Sequence, residues 1–192
     1  DIIEATGHTL ILDSGGNNRI ELDDGNDVVN TGNGIDIIKL GSFDDRAFCG
    51  GGNDSAYGGT GDDMLSGGAG HDWLEGGLDN DTLIGGSGSN IYWGGRGRDE
   101  FHLSRNHRFW DGINERTHDR VRDFNDVGDK AIISANTISD VRGNNILLFR
   151  GNEEVGKLET LGGVSIHAER IGENMELEIV ATVAGGRGVE FI

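Results

Sequence analysis

Residues 58–86 read GGTGDDMLSGGAGHDWLEGGLDNDTLIGG, and this stretch decides the fold. Divided after every ninth residue, it gives GGTGDDMLS, GGAGHDWLE and GGLDNDTLI, and a further glycine pair starts the next unit. A glycine pair, an acid at the sixth position and an aliphatic residue at the eighth position recur at fixed offsets. Such a short fixed period is typical of repeat architectures, in which each unit packs on its neighbours.

The nine-residue frame continues in both directions without an insertion and gives eleven consecutive units over residues 4–102. At the sixth position eight of the eleven units carry Asp, and the other three carry Thr9, Asn18 and Asn90. At the eighth position every unit carries an apolar or aromatic residue. Two columns that stay in phase over this length indicate a true repeat array.

The composition fits repeated tight turns and argues against several classes of partner. The chain of 192 residues holds 35 Gly and no Pro, and periodic glycine permits positive φ at regular intervals. Its 34 acidic and 16 basic residues give a formal net charge of −18. This charge argues against nucleic acid and anionic membranes and favours cations as partners. The single Cys cannot form an internal disulfide, and no apolar stretch approaches the length of a membrane helix.

Each unit predicts a turn followed by a short strand. The first six residues, rich in glycine, are expected to form the turn, and the last three the strand. The eighth residue then points inward while its two neighbours point outward. Because three residues are too few for a stable isolated strand, stacked units must share one interior column of eighth-position side chains. The glycine density excludes helix in this region.

The pattern GGxGxDxUx, in which U is a large apolar residue, resembles the RTX repeat, a calcium-binding nonapeptide rich in glycine and aspartate. The resemblance is close in residues 58–102 and degenerate, though in register, in residues 4–57. It implies an all-β fold, namely a right-handed parallel β-roll with two nonapeptides per turn, followed by a β-rich C-terminal cap. We therefore expect the roll in residues 4–102 and a capping, secretion-associated region in residues 103–192.

Alternate units of such a roll lie on the same side, and this places carboxylates next to each other. Asp63 would lie beside Asp81, Asp54 beside Asp72, and Asp81 beside Asp99. Like charges at this separation repel each other appreciably, so a hard dication between the turns is needed. Calcium accepts six to eight oxygen ligands, whereas magnesium prefers small octahedral sites. Zinc prefers His and Cys, which these columns lack.

The resemblance also implies the ligand set of each ion. Carbonyl oxygens from the first and third positions of one loop, and from the second and fourth positions of the next, would join both Asp side chains. We expect about five to eight Ca²⁺ ions. The candidate side-chain ligands are Asp27, Asp36, Asp45, Asp54, Asp63, Asp72, Asp81, Asn90 and Asp99. The candidate loop residues are Gly50, Gly52, Gly58, Gly59, Thr60, Gly61, Gly67, Gly68, Ala69, Gly70, Gly76, Gly77, Leu78, Asp79, Gly85, Gly86, Ser87, Gly88, Gly94, Gly95 and Gly97.

The loops are not expected to bind equally well. Asp79 replaces the fourth-position glycine but tolerates a left-handed conformation. Phe43 can adopt that conformation only at a cost, so its loop is expected to be a poor site. Thr9 and Asn18 carry no charge, so the first two units should bind weakly or not at all. The best loops are 49–54, 58–63, 67–72, 76–81 and 94–99.

The period stops after His102, and the composition of residues 103–192 is closer to that of ordinary domains. The stretch DRVRDFNDVGDKAIIS, residues 119–134, resembles the segment that follows the roll in serralysin-type proteases and other RTX proteins. An aromatic cluster is expected to close the open end of the roll; its members are Phe101, Phe109, Trp110 and Phe124. Strands are expected at residues 145–149, 156–161, 164–168 and 177–183.

These observations indicate a calcium-binding module of a secreted protein, not an enzyme. No HExxH or GxSxG motif is present, so we assign no catalytic residues. The chain begins at Asp1 and not at Met, which suggests a fragment or a processed protein with any catalytic domain upstream. We expect it to be disordered without calcium and to fold outside the cell. Export by a type I secretion system is implied by the resemblance alone.

Two alternatives remain open at this point. Trp73 and Trp93 fall in outward columns, so the module could instead be adhesive and bind a glycan or a protein. A catalytic cleft in residues 103–192 is the third hypothesis. Among single residues, we expect Cys49 to be a small loop residue without a ligand role, and His102 and His107 to be solvated and not a metal pair.

Overall fold

The computed structural model describes residues 1–103 in full and, beyond them, the backbone of eight strands between Arg120 and Phe191. Residues 1–103 contain twelve strands. They are β1 (Ile2–Ala5), β2 (Leu10–Leu12), β3 (Arg19–Leu22), β4 (Val28–Asn30), β5 (Ile37–Ser42), β6 (Arg46–Gly51), β7 (Ser55–Thr60), β8 (Met64–Ala69), β9 (Trp73–Leu78), β10 (Thr82–Ser87), β11 (Ile91–Arg96) and β12 (Glu100–Leu103).

Odd-numbered strands form one parallel sheet and even-numbered strands form the other. Each strand pairs with the strand two places later, so that Leu83 of β10 lies between Leu65 of β8 and Phe101 of β12. One coil therefore contains two units, and the coils stack into a solenoid of about six turns. The prediction of an all-β parallel roll with two nonapeptides per turn is confirmed.

The division of each unit into turn and strand differs from the prediction. Strands β5 to β11 each contain six residues, so the first three positions of a unit continue the strand and only the fourth to sixth positions form the turn. In β7, Gly59 at the second position has a φ of 121° and pairs with Gly77 of the next coil. A Cβ atom at Gly59 would lie 2.0 Å from the carbonyl oxygen of Gly41. Close approach of the coils therefore requires glycine within the strand.

Side chains at the eighth position form a continuous inner column, as predicted. None of them is more than 8% exposed, and ten of the eleven are fully buried. Residues at the first position form a second inward column, which the sequence analysis did not predict. Leu22, Thr31, Leu40 and Cys49 fill this column in the third to sixth units, whereas from Gly58 to Gly94 it contains only glycine. The eighth-position residues from Leu65 onward are larger than Ala47 and Ala56, which precede them.

The first coil is one residue shorter than the coils that follow. Ile3 pairs with Ile20 and Glu4 with Glu21, so Glu4 corresponds to the last position of a unit and not to the first. The first repeat therefore starts at Ala5 and lacks one residue. The register is regular from β2 onward, where Ile11 pairs with Val29.

Eight further strands continue the two sheets. They are β13 (Arg120–Val121), β14 (Lys130–Ala135), β15 (Ile138–Arg142), β16 (Asn145–Arg150), β17 (Glu153–Thr160), β18 (Val164–Ile171), β19 (Asn174–Ala181) and β20 (Val189–Phe191). β13 pairs with β11 and β14 with β12, both in parallel, and the remaining pairs are antiparallel.

The β-rich character predicted for the C-terminal region is therefore confirmed for its described strands, and β16 to β19 correspond to the four predicted strands. Three members of the predicted aromatic cluster, Phe109, Trp110 and Phe124, lie outside the described residues, as does His107. In the part of the chain that the structure describes, no helix is long and apolar enough to cross a bilayer.

Candidate metal centre

The sixth-position side chains lie in the turns that precede each strand, and they are buried. The eight Asp residues at this position are at most 2% exposed. Oδ1 of Asp81 accepts a hydrogen bond of 2.9 Å from the backbone amide of Asp63, eighteen residues earlier. The same contact joins Asp72 to the amide of Asp54 and Asp99 to the amide of Asp81, both at 3.0 Å. The predicted neighbours are thus adjacent, and one oxygen of each carboxylate belongs to an inter-coil ladder.

The second carboxylate oxygen has a different environment. Oδ2 is buried and has no hydrogen-bond partner in seven of these residues. A buried carboxylate oxygen without a partner is costly because it has lost its hydration and gained nothing in return. The seven residues are Asp27, Asp36, Asp45, Asp54, Asp63, Asp72 and Asp81.

Burial raises the pKa of these carboxyl groups. The pKa reaches about 6 for Asp45 and Asp54, about 7 for Asp63 and about 8 for Asp81. Desolvation is the main cause, the backbone amide that bonds Oδ1 opposes it, and neighbouring carboxylates add to it. The pKa of Asp72 is raised for the same main reason. These groups are poorly accommodated as anions in the absence of a cation.

The first-position glycines create the space that the free oxygens occupy. A Cβ atom at Gly58 would lie 2.3 Å from Oδ2 of Asp63 and 2.7 Å from the carbonyl oxygen of Gly76 in the next coil. At Gly67 the corresponding distances are 2.3 Å to Asp72 and 2.8 Å to Gly85. A carboxylate oxygen and a carbonyl oxygen from two successive coils therefore converge beside the same glycine. Only a residue without a side chain fits there.

The turn itself depends on a left-handed fourth position. Gly61 and Gly70 have φ values of 121° and 143°. Asp79 adopts a φ of 77°, as its tolerance of this conformation suggested. Phe43 also adopts it, with a φ of 80° and a side chain that is 58% exposed. The turn is thus formed at Phe43 too, and Gly61 of the next coil packs directly on its backbone. The prediction that this loop binds poorly remains a prediction.

Cys49 is not a loop residue, which corrects the prediction. It lies in β6, is fully buried, and occupies the inward position that glycine takes in the later units. Burial raises the pKa of its thiol, and the carboxylates of Asp54, Asp72 and Asp36 raise it further. Loop 49–54, expected to be among the best, thus has a side chain at the position where the loops from residue 58 onward have glycine.

One unit near the end of the roll has different polar groups beside its first-position glycine. At Gly85 a Cβ atom would lie 2.0 Å from the hydroxyl oxygen of Tyr92 and 2.5 Å from Nδ2 of Asn90. Neutral groups therefore take the place of a carboxylate oxygen in this unit. The hydroxyl of Tyr92 donates to the carbonyl oxygen of His102 at 3.2 Å, and the ring packs edge-on against Phe101 at 6.1 Å between centroids.

The uncharged sixth-position residues of the first two units and His102 also have hydrogen-bond partners. Thr9 and Asn18, which carry no charge, each donate a backbone N–H to the carboxylate of the next coil, Asp27 or Asp36. His102 pairs with Glu100 at 2.6 Å between Nε2 and Oε1.

Side chains alone do not form a metal site here. Among residues 1–103, no three or more His, Cys, Asp and Glu side chains lie together in a way that could hold a metal ion. Backbone carbonyls must therefore complete any site, and this favours calcium, which accepts carbonyl and carboxylate oxygens at flexible geometry. The unpartnered Oδ2 atoms and the adjacent glycine carbonyls fit such an ion.

Comparison with known families agrees with this donor set. The sequence model of the RTX calcium-binding nonapeptide repeat (4 copies) matches residues 6–38, 40–74 and 66–101. The chain belongs to the family of proteins that carry RTX calcium-binding repeats. The roll is accordingly a calcium-binding repeat structure and not a catalytic fold. A search of curated proteins and a search of solved structures found no match.

Sequence reasoning missed one set of polar residues, those at the fifth position. Asn53, Asp62 and Asn80 each accept a hydrogen bond from a backbone amide of the next coil. The signal was present in the sequence, because the fifth position is rich in Asn, Asp and His.

Proposed function

We propose that Ca²⁺ ions bound between successive coils supply the cohesion of this roll. The observation that carries the proposal is the row of seven buried Oδ2 atoms without a partner. Beside Asp63 and Asp72 a carbonyl oxygen of the next coil lies close to the same glycine, and a dication there would compensate the buried charge. The ligands would be the sixth-position carboxylates and the carbonyls of the glycine-rich positions given above. Units with Thr9, Asn18 and Asn90 would bind more weakly because they supply less charge.

Ion binding would then be coupled to folding. At about 1 mM calcium, a site with a dissociation constant of about 0.1 mM contributes about 1.4 kcal/mol. About five or six such sites contribute roughly 7 to 8 kcal/mol, similar to the whole stability of an ordinary domain. This contribution nearly vanishes at submicromolar calcium. The chain would therefore stay disordered in the cytosol and fold after export.

This coupling suits a secreted protein, and RTX repeats occur in secreted proteins. Export through the narrow channel of a type I secretion system requires an unfolded chain, which low calcium would provide. Residues 103–192 would then close the roll, since β13 and β14 extend both sheets beyond its last complete coil. Residues 103–192 would also take part in export.

A calcium titration followed by circular dichroism tests the proposal. We expect the chain to gain β signal at millimolar calcium, to lose it in excess chelator, and to respond far less to magnesium. Replacing Asp63 and Asp81 together by Asn, which retains the Oδ1 acceptor, should raise the calcium midpoint. An unchanged β signal after complete chelation would contradict the proposal.

A second candidate function, adhesion, has one observation in its favour. Trp73 and Trp93 lie on the outer face of the odd-numbered sheet with ring centroids 6.1 Å apart and planes at 28°, and Trp93 is 36% exposed. A stacked aromatic pair of this kind offers a surface for a glycan or a protein side chain. Binding on a glycan array that is lost in Trp93→Ala but retained in Ile84→Ala, a change on the opposite sheet, would favour it.

A further inference from the structure

A second ladder of hydrogen bonds joins the coils, and it does not involve the sixth-position carboxylates. On one side of the roll, Asp44 accepts from the amide of Asp62 at 3.0 Å, Asp62 from Asn80 at 2.9 Å, and Asn80 from Arg98 at 3.0 Å. We call the residues that accept in this way the fifth-position acceptors. They are His8, Asn17, Asp44, Asn53, Asp62, His71 and Asn80.

The two ladders run in opposite directions along the chain. A sixth-position carboxylate bonds the amide one coil earlier, as Asp81 bonds Asp63. A fifth-position acceptor bonds the amide one coil later, as Asn80 bonds Arg98. Since the two positions are adjacent in sequence, each turn is held to the coil before it and to the coil after it. Two oppositely directed bonds of about 3 Å fix the separation of neighbouring turns more tightly than either alone.

We infer that the fifth-position acceptors are positioning residues for the calcium sites. This inference rests on the proposed function. Calcium needs its oxygen ligands within a narrow range of distances, and those ligands come from two different coils. The fifth-position acceptors set the distance between these coils at the residue that precedes each carboxylate. They therefore hold the ligands in place at no cost in buried charge, because these bonds are exposed to solvent.

The chain contains a natural interruption of this ladder. Ile35 occupies a fifth position and donates its amide to Oδ1 of Asn17 at 2.8 Å. Its own side chain cannot accept the amide of Asn53 in the next coil. The side chain of Ile35 is 56% exposed, so a polar residue fits there without disturbing the core. Ile35→Asn should complete the ladder between the turns that contain Asp36 and Asp54.

Terbium binding tests the inference, with Tb³⁺ as the probe in place of calcium and the complete chain as the sample. Trp73 follows Asp72 directly, so terbium emission sensitised by Trp73 reports on ions bound in this part of the roll. Asn53→Ala removes the bond to the amide of His71, and Asn53→Asp retains an acceptor there. We expect Asn53→Ala to raise the terbium midpoint about twofold to tenfold. Asn53→Asp should leave the midpoint close to that of the unmodified chain, and Ile35→Asn should lower it.

The controls separate positioning from general stability. Asn26 is also a fifth-position residue, but its side chain makes no hydrogen bond in the described part of the chain, so Asn26→Ala should leave the midpoint unchanged. If Asn53→Ala reduced only the β signal at saturation, or if Ile35→Asn left the midpoint where it was, the inference would be wrong. Failure of the unmodified chain to bind terbium or calcium would instead overturn the proposed function.

Discussion

The backbone amide of Asp63 donates a 2.9 Å hydrogen bond to Oδ1 of Asp81, while Oδ2 of Asp81 is buried without a partner. The two oxygens of one carboxylate thus have separate tasks. One joins two coils through the protein's own backbone, and the other is left for a ligand. Mutations that change one oxygen and retain the other can therefore separate the fold from ion binding.

Asp81→Asn retains Oδ1 and removes the charge. We expect the calcium-dependent part of the free energy of unfolding to fall by about 1 to 3 kcal/mol, because the two sites that flank this residue lose an anionic ligand. In chelator the variant should be no less stable than the unmodified chain. Urea unfolding with and without calcium measures both quantities. Asp62→Asn removes an exposed charge from a fifth-position acceptor but retains the Oδ1 that accepts from Asn80; it is the control and should change little.

Gly67→Ala tests the space beside the carboxylate. The new Cβ atom would lie 2.3 Å from Oδ2 of Asp72, and the oxygen must move away from the carbonyl groups of the next coil. The backbone of Gly67 is not left-handed, so the effect does not arise from strain. We expect the calcium midpoint to rise severalfold in a titration followed by circular dichroism. Ser66→Ala in the same strand should not shift it, and equal shifts in both variants would contradict this account.

The raised pKa values predict how the metal-free chain responds to pH. Asp45, Asp54, Asp63 and Asp81 titrate near 6 to 8 in the roll, above the value near 4 of an unfolded chain. The folded state therefore binds more protons between these values, and its stability falls as the pH rises through this range. Without calcium, the β signal should increase when the pH is lowered from about 8 to about 5. A pH-independent signal in calcium-free buffer would show that these groups do not control folding.

Tyr92→Phe removes the hydroxyl that donates to the carbonyl of His102 and retains the ring that packs on Phe101. We expect the free energy of unfolding in calcium to decrease by about 0.5 to 1.5 kcal/mol. Urea denaturation in calcium measures this change. Phe101→Leu, which alters the packing instead of the hydrogen bond, should cost more, and the opposite order would indicate that the hydroxyl dominates.

The period of the sequence was sufficient to predict the fold and the inner column. A nine-residue repeat with apolar residues at one position and Asp at another has few ways to bury the apolar residues and bring the Asp residues together. Leu65, Leu83 and Phe101 therefore had to align. The same reasoning predicted that Asp63 and Asp81 are neighbours. Both predictions concern residues that are equivalent in every unit.

Other features depend on the exact path of the backbone and were not accessible in this way. The inward direction of Cys49 follows from a strand that continues three residues past the expected end. The bond from Arg98 to Asn80 depends on the pitch between coils, which no single unit specifies. The short first coil became visible only in the pairing of Glu4 with Glu21.

The first-position column changes character along the roll, and this gives the molecule a polarity. Leu22, Leu40 and Cys49 add apolar side chains to this column in the early coils, whereas from Gly58 onward it contains only glycine. Apolar burial therefore contributes more to the cohesion of the early coils, and the later coils depend more on bound ions. When the ion concentration falls, the later coils should therefore unfold before the early ones.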